Sequence, residues 1–85
     1  MQTTARRLCD LVPGECAVVC GLTAAGSIRR RLLDIGFVDR APVECLGRSP
    51  MGDPSAYLIR GAVIAVRAED GQHILVEGGG AESWD

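Results

Sequence analysis

Four cysteines, a single histidine and a run of three arginines carry most of the chemistry available to this 85-residue chain. Cys9, Cys16, Cys20 and Cys45 are spaced C-x6-C-x3-C-x24-C, which matches neither the paired CxxC of zinc ribbons nor the thioredoxin-like motif. Free cysteine is among the most buried residue types, so all four are expected to be small core residues. His73 opens a short strand beside Gln72, where a lone histidine is expected to face solvent. Asp, Glu and Cys side chains converging on it in space would make a weak site for a divalent transition metal such as Fe2+, Zn2+ or Mn2+. No motif requires a cofactor. Catalysis is not expected either. A base must stand near its nucleophile in a pocket that shifts pKa values, and the chain offers one histidine, no lysine and no G-x-x-x-x-G-K-[ST] loop.

The remaining chemistry concerns surfaces. Nine arginines, no lysine and eleven carboxylates give a net charge of −2, the wrong balance for a nucleic-acid binder that must displace phosphate counterions. Arg29, Arg30 and Arg31 fall near the start of a helix, the unfavourable end of its dipole for cations. They read either as a solvated face or as a docking surface for an acidic partner or a membrane surface. Met51, followed by Gly52 and Asp53, stands in a loop with a proline at each end. A flexible apolar side chain there suits an adaptable binding surface; the competing reading folds Met51 back to cap the core. Phe37, Tyr57 and Trp84 are too few and too scattered to line a polyproline groove.

The elements that must position these residues are short. At this length a chain buries roughly 60–65% of its unfolded surface, enough for one small domain, and the 47% apolar content excludes disorder for its body. With three aromatics in all, the core is expected to be built of Val, Leu, Ile, Ala and Cys. Leu8 and Leu11 suggest one helical or 3₁₀ turn plugging an end of the fold, stopped by Pro13-Gly14. Residues 15–22 read as a buried strand. Residues 27–35 read as the one helix, with Ser27 as N-cap, Ile28, Leu32 and Ile35 as its apolar stripe, and Gly36 as a left-handed C-cap. Residues 41–48 alternate as a strand with one wet face. Strands over 56–60 and 62–67 flank a tight Arg60-Gly61 turn. Residues 68–72 form a polar connection to a last strand over 73–77. Five short strands with one inserted helix predict a mainly β fold, a small barrel. Residues 1–7 are expected to be a flexible N-terminus, 8–77 the domain, and 78–85 a disordered glycine-rich tail with Trp84 outside the core. The first ten residues carry no apolar h-region, and the longest uncharged apolar stretch, 16–28, is too short to span a bilayer. A cytoplasmic chain with reduced thiols and no direct membrane insertion is expected.

The order of these features resembles a known family. Leu8-x-Asp10-Leu11-x-Pro13-Gly14-Glu15 opens the series, and Arg31-Leu32-Leu33-Asp34-Ile35-Gly36-Phe37 follows. Pro50-Met51-Gly52-Asp53-Pro54, Arg60-Gly61, Ile64-Ala65-Val66-Arg67 and Ile74-x-Val76 complete it. Over residues 8–77 the series is similar to the FeoA family of bacterial ferrous-iron transport proteins. That resemblance implies an SH3-like barrel, shared with the C-terminal domain of iron-dependent repressors. It also implies a cytoplasmic accessory protein that contacts and regulates a membrane ferrous-iron transporter with a cytosolic GTP-binding domain, of FeoB type. The repressor relatives supply an alternative, a small metal-binding or metal-sensing module, and a homo-oligomer stays open. Two positions depart from the family pattern. Asp39-Arg40 stands where a turn glycine is usual, so Asp39 is expected to make that turn, and Gly71 stands where an alanine is usual. Residues expected to meet the partner are Arg29, Arg30, Met51, Gly52 and Asp53; those expected to shape turns and caps are Pro13, Gly14, Ser27, Gly36 and Gly61.

Overall fold

The computed structural model describes residues 6–78. The elements run β1 (Arg6–Arg7), a 3₁₀ turn (Leu8–Asp10), β2 (Cys16–Leu22), α1 (Gly26–Ile35), β3 (Pro42–Arg48), β4 (Ser55–Ile59), β5 (Ala62–Val66), α2 (Ala68–Gly71) and β6 (Ile74–Gly78). The strands form one antiparallel sheet in the order β1-β6-β2-β3-β4-β5. The sheet curls around its core without pairing its two outer strands. Two irregularities help the curl, one in β2 between Val19 and Gly21 and one in β3 between Cys45 and Gly47. Each inserts one extra residue, Cys20 or Leu46, which bends and twists the strand.

Six strands replace the expected five. The additional one is β1, where Arg6 and Arg7 pair with Val76 and Leu75, so these two residues do not belong to a flexible terminus. Two residues are too few to show any periodicity in a sequence. Gly78, expected in the tail, is the last residue of β6. The expectations for residues 1–5 and 79–85, Trp84 included, lie outside the described residues. The polar connection before β6 is a single helical turn, α2.

Alternation decides which residues enter the core. Val43 and Cys45 of β3, Tyr57 and Ile59 of β4, and Ile74 and Val76 of β6 are buried, as period-two spacing on a one-sided sheet requires. Leu8 and Leu11 close one end, and Leu32 and Phe37 cover the core from α1 and the residues after it. Phe37 and Tyr57 are the largest fully buried side chains, so the core is not purely aliphatic as composition suggested. Only Cys45 among the cysteines is a core residue. Cys9, Cys16 and Cys20 are half-buried, and all four are free thiols. Burial pushes the Cys9, Cys20 and Cys45 thiols above their ordinary value.

Side chains from elsewhere bond the backbone carbonyls of the plug formed by residues 8–11. The Tyr57 hydroxyl donates to Leu8 O at 3.3 Å, Arg6 Nη2 to Asp10 O at 3.1 Å, and Arg48 Nη2 to Leu11 O at 2.9 Å. Beyond the plug, Val12-Pro13-Gly14-Glu15 is a tight turn with Gly14 at φ +92° and a 3.0 Å bond from Glu15 N–H to Val12 O. Proline second and glycine third is the signature of a type II turn. The Glu15 carboxylate accepts from the Arg6 guanidinium at 2.5 Å and from Val12 N–H at 3.0 Å. These bonds, the one from Arg6 first, hold its carboxyl at about 2.

Helix α1 differs in detail from expectation. It begins at Gly26, whose φ of +66° turns the chain one residue early, and the N-cap position is Ala25, with no side-chain cap. Ser27 lies inside the helix and is exposed. In the apolar stripe Leu32 is buried and Ile35 half-buried, while Ile28 is 40% exposed and faces α2 rather than the core. Gly36 closes the helix at φ +131°, its N–H reaching Leu32 O and Leu33 O. The next turn uses Arg40, not Asp39, at φ +77°, and the β4–β5 turn combines Arg60 at +51° with Gly61 at +84°, the two left-handed residues of a type I′ hairpin.

Two measurements check this account. Gly36→Val places a β-branched residue at positive φ and sets a Cβ about 3.1 Å from Arg60 Cδ. It is expected to cost about 1–3 kcal/mol in denaturant unfolding; an unchanged midpoint contradicts the helix end drawn here. For Glu15 the folded-state carboxyl lies below its unfolded value. Its contribution is therefore full above about pH 4.5 and lost as pH falls through about 2. The stability gap between the wild type and Glu15→Gln should be constant near neutrality and close over that acid window.

Candidate docking surface

Loop 49–54 presents Met51 to solvent at 91% exposure, so it does not fold back over the core. The loop is an ordered turn. Gly52 N–H donates to Ser49 O at 2.8 Å, and Ser49 N–H to Pro54 O at 3.0 Å. Pro50 occupies the second position of that turn and Gly52 the fourth, as type I turns favour, and this leaves Met51 at the tip.

Asp53 has a different role from the one its neighbours suggest. Its Oδ1 accepts from Ala68 N–H at 2.8 Å, and Oδ2 lies 4.0 Å from Arg67 Nη1. A carboxylate fifteen residues away in sequence thus caps the first N–H of α2, as a local N-cap side chain would. The other end of this short helix is held by α1, where Arg31 Nη2 lies 3.1 Å from Asp70 Oδ2. Residues 68 and 70 of one helical turn therefore receive, respectively, the base of the Met51 loop and the arginine end of α1. Loop 49–54 and α1 thus share one support, through Asp53 and Arg31. Arg29 and Arg30 remain exposed and outside any ion pair among the described residues. They line a shallow depression with Gly26, Leu33 and Asp34. Sequence reading grouped Arg31 with them and missed its pairing to Asp70; nothing in the local sequence pairs residues so far apart.

His73 is half-buried rather than solvent-facing. Its Nδ1 lies 3.1 Å from Thr23 Oγ1, and its carbonyl accepts from Thr23 N–H at 2.8 Å. Among the described residues no three His, Cys, Asp or Glu side chains are grouped to hold a metal ion. No helix of the described chain is long and apolar enough to cross a membrane.

A curled antiparallel sheet with a plugged end and a small helix before its last strand defines the class of SH3-like barrel domains. Within that class the FeoA domain model matches residues 6–78, and the chain belongs to the FeoA family, which is linked to ferrous-iron transport. A relative from Porphyromonas gingivalis, an Fe(2+) transport protein A/Fe(2+) transporter FeoB fusion protein, is 34% identical over 71 residues. That match covers 84% of this chain and 8% of the relative, so the chain spans a small part of the fusion's length. The structure is similar to that of a FeoA-like protein from Clostridium acetobutylicum, with TM-score 0.82, 29% identity and coverage of 92% and 90% of the two chains. It is also similar to Stenotrophomonas maltophilia FeoA complexed with zinc, described as a procaryotic SH3 domain protein, with TM-score 0.76, 25% identity and coverage of 85% and 89%. A manganese-dependent transcriptional repressor shares the fold at TM-score 0.81 and 20% identity, over 93% of this chain and 44% of the repressor. The expected family and SH3-like fold are borne out.

The capping role of Asp53 can be measured. Asp53→Ala should cost about 0.5–2 kcal/mol, the usual range for a lost cap. Asp53→Asn, which keeps an acceptor oxygen, should cost clearly less in the same denaturation series.

Proposed function

We propose that this chain is a cytoplasmic accessory module of bacterial ferrous-iron uptake. It binds the cytosolic GTP-binding part of a membrane ferrous-iron transporter and modulates transport without catalysing a reaction of its own. The observation that carries this reading is the fusion relative, in which a matching segment is joined covalently to FeoB. Fusion holds the two parts at a high effective concentration, which suits parts that act on one another. The face built on α2 supports that role. It anchors, through Asp53 and Arg31, the loop that presents Met51 and the helix that carries the exposed cations Arg29 and Arg30. Apolar anchors carry most of the affinity in such contacts, and rim charges steer encounter. The bound zinc belongs to the Stenotrophomonas protein, and this reading routes no step through a metal held by the present chain.

Met51→Asp should abolish ferrous-iron uptake in cells at limiting Fe2+, while circular dichroism of the purified chain is unchanged because the side chain touches little of the fold. Arg29→Glu with Arg30→Glu should weaken binding of the transporter's cytosolic part, and the deficit should shrink with added salt, which screens exposed charges beyond about 8–10 Å. Normal uptake by both folded variants rejects this surface.

A further inference from the structure

Among the described residues the sheet has two edges, and they differ in kind. One is β1, two residues long and both of them arginine. Shortness and charge are the usual guards of an edge against pairing with another chain. The other is β5, Ala62-Val63-Ile64-Ala65-Val66, whose one neighbour in the sheet is β4. It carries no charge, no proline and no bulge. Val63 is 65% exposed, and Ala62 and Ala65 are exposed beside it.

Register decides which backbone groups this edge offers. Across the two-residue Arg60-Gly61 turn, Ile59 and Ala62 close the hairpin as a hydrogen-bonded pair. Bonded and non-bonded pairs alternate along an antiparallel ladder, so Ile64 and Val66 also bond toward β4. The N–H and C=O groups of Val63 and Ala65 therefore point away from the sheet. No turn, loop or cap bond of the described chain reaches them.

That pattern specifies its complement. An antiparallel strand centred opposite Ile64 satisfies all four groups if its own outward residues stand one place either side of its centre. A second copy of β5 is such a strand. Val63 then pairs with Ala65 of the other copy, twice over by two-fold symmetry, and Ile64 meets its own equivalent at the axis. A larger side chain thus faces a smaller one in both halves. Ile64 lies opposite Tyr57 and is only half-buried, so the pairing also extends the apolar inner face across the edge. The charges agree with this direction. It brings the Arg60 turn of one copy to α2 of the other, where Glu69 stands in the first turn. Arg60 and Glu69 are exposed and outside any ion pair among the described residues. Arg67, the cation nearest that junction, is turned to Asp53 at 4.0 Å.

We propose that two copies of this chain join through β5 into one continuous antiparallel sheet. A five-residue ladder buries less than the roughly 1,200 Å² at which standard interfaces begin, so the dimer is weak and exchanges with monomer. The ladder uses none of Met51, Arg29 and Arg30, and this inference stands or falls apart from the iron-transport reading.

Amide hydrogen exchange of the full chain over a concentration series tests it. The Ala62, Ile64 and Val66 amides, bonded to β4, should be protected at every concentration. Those of Val63 and Ala65 should exchange freely in dilute solution and become protected as sedimentation shows the mass rising to that of a dimer. Ala65→Pro removes an outward N–H that the hairpin does not use, and Val63→Lys sets a charge on the edge. Both variants should keep the wild-type circular dichroism and stay monomeric where the wild type pairs. Three outcomes overturn the proposal: a wild type that is monomeric at every concentration, a dimer whose Val63 and Ala65 amides stay unprotected, or a dimer that folded Val63→Lys leaves intact.

Discussion

A plug of two fully buried leucines, Leu8 and Leu11, is the constraint on which this domain turns. The sheet is too small to close on itself, and Leu8 and Leu11 fill its open end. Burying Leu8 takes its carbonyl away from water, an unpaired buried carbonyl is costly, and the carbonyls of Asp10 and Leu11 are bonded beside it. Tyr57, Arg6 and Arg48 come from three different strands to satisfy them. The same bonds fix the strands that carry those side chains, so the plug and the curl of the sheet determine each other. Arg6 does two things at once, bonding Asp10 O and the Glu15 carboxylate, and this is why a two-residue strand at the margin of the sheet is ordered at all.

With the inside settled this way, the outside is free to differ. The extra residues at Cys20 and Leu46 bend the strands toward the core and leave the convex face apolar but open. At the opposite edge, one turn of helix ties loop 49–54 to α1 through two carboxylates, Asp53 and Asp70. Met51 is therefore held out on a frame rather than left on a loose loop, and an apolar side chain held in water loses little further freedom when it is covered.

Much of the fold was legible because it follows from local rules. Alternation over residues 41–48 identified the inward face of β3, and the proline–glycine turn after Leu11 and the glycine after Ile35 marked real chain reversals. What escaped was set by partners distant in sequence. Ile28 has the right spacing for the core but meets α2, and three cysteines of a buried residue type are only half-covered. Ser27 looked like a cap, yet Gly26 had already begun the helix. Arg40 took the left-handed turn that Asp39 seemed better suited to hold. Of the candidate surface, the place of Met51 in a loop between two prolines was legible, while its exposure stood against a reading that folded it over the core. The support beneath it did not, because the pairings of residue 53 with 68 and of 31 with 70 have no signature in any short window.

Gly71 is packed so closely that a Cβ there would stand 3.2 Å from Cys9 Cβ and 3.3 Å from Cys9 N. A side chain there is not accommodated by trimming Cys9, since part of the obstruction is backbone; the plug and α2 would have to move a few tenths of an ångström apart. One missing methyl group thus sets how closely the start of the chain and the turn before its last strand can approach.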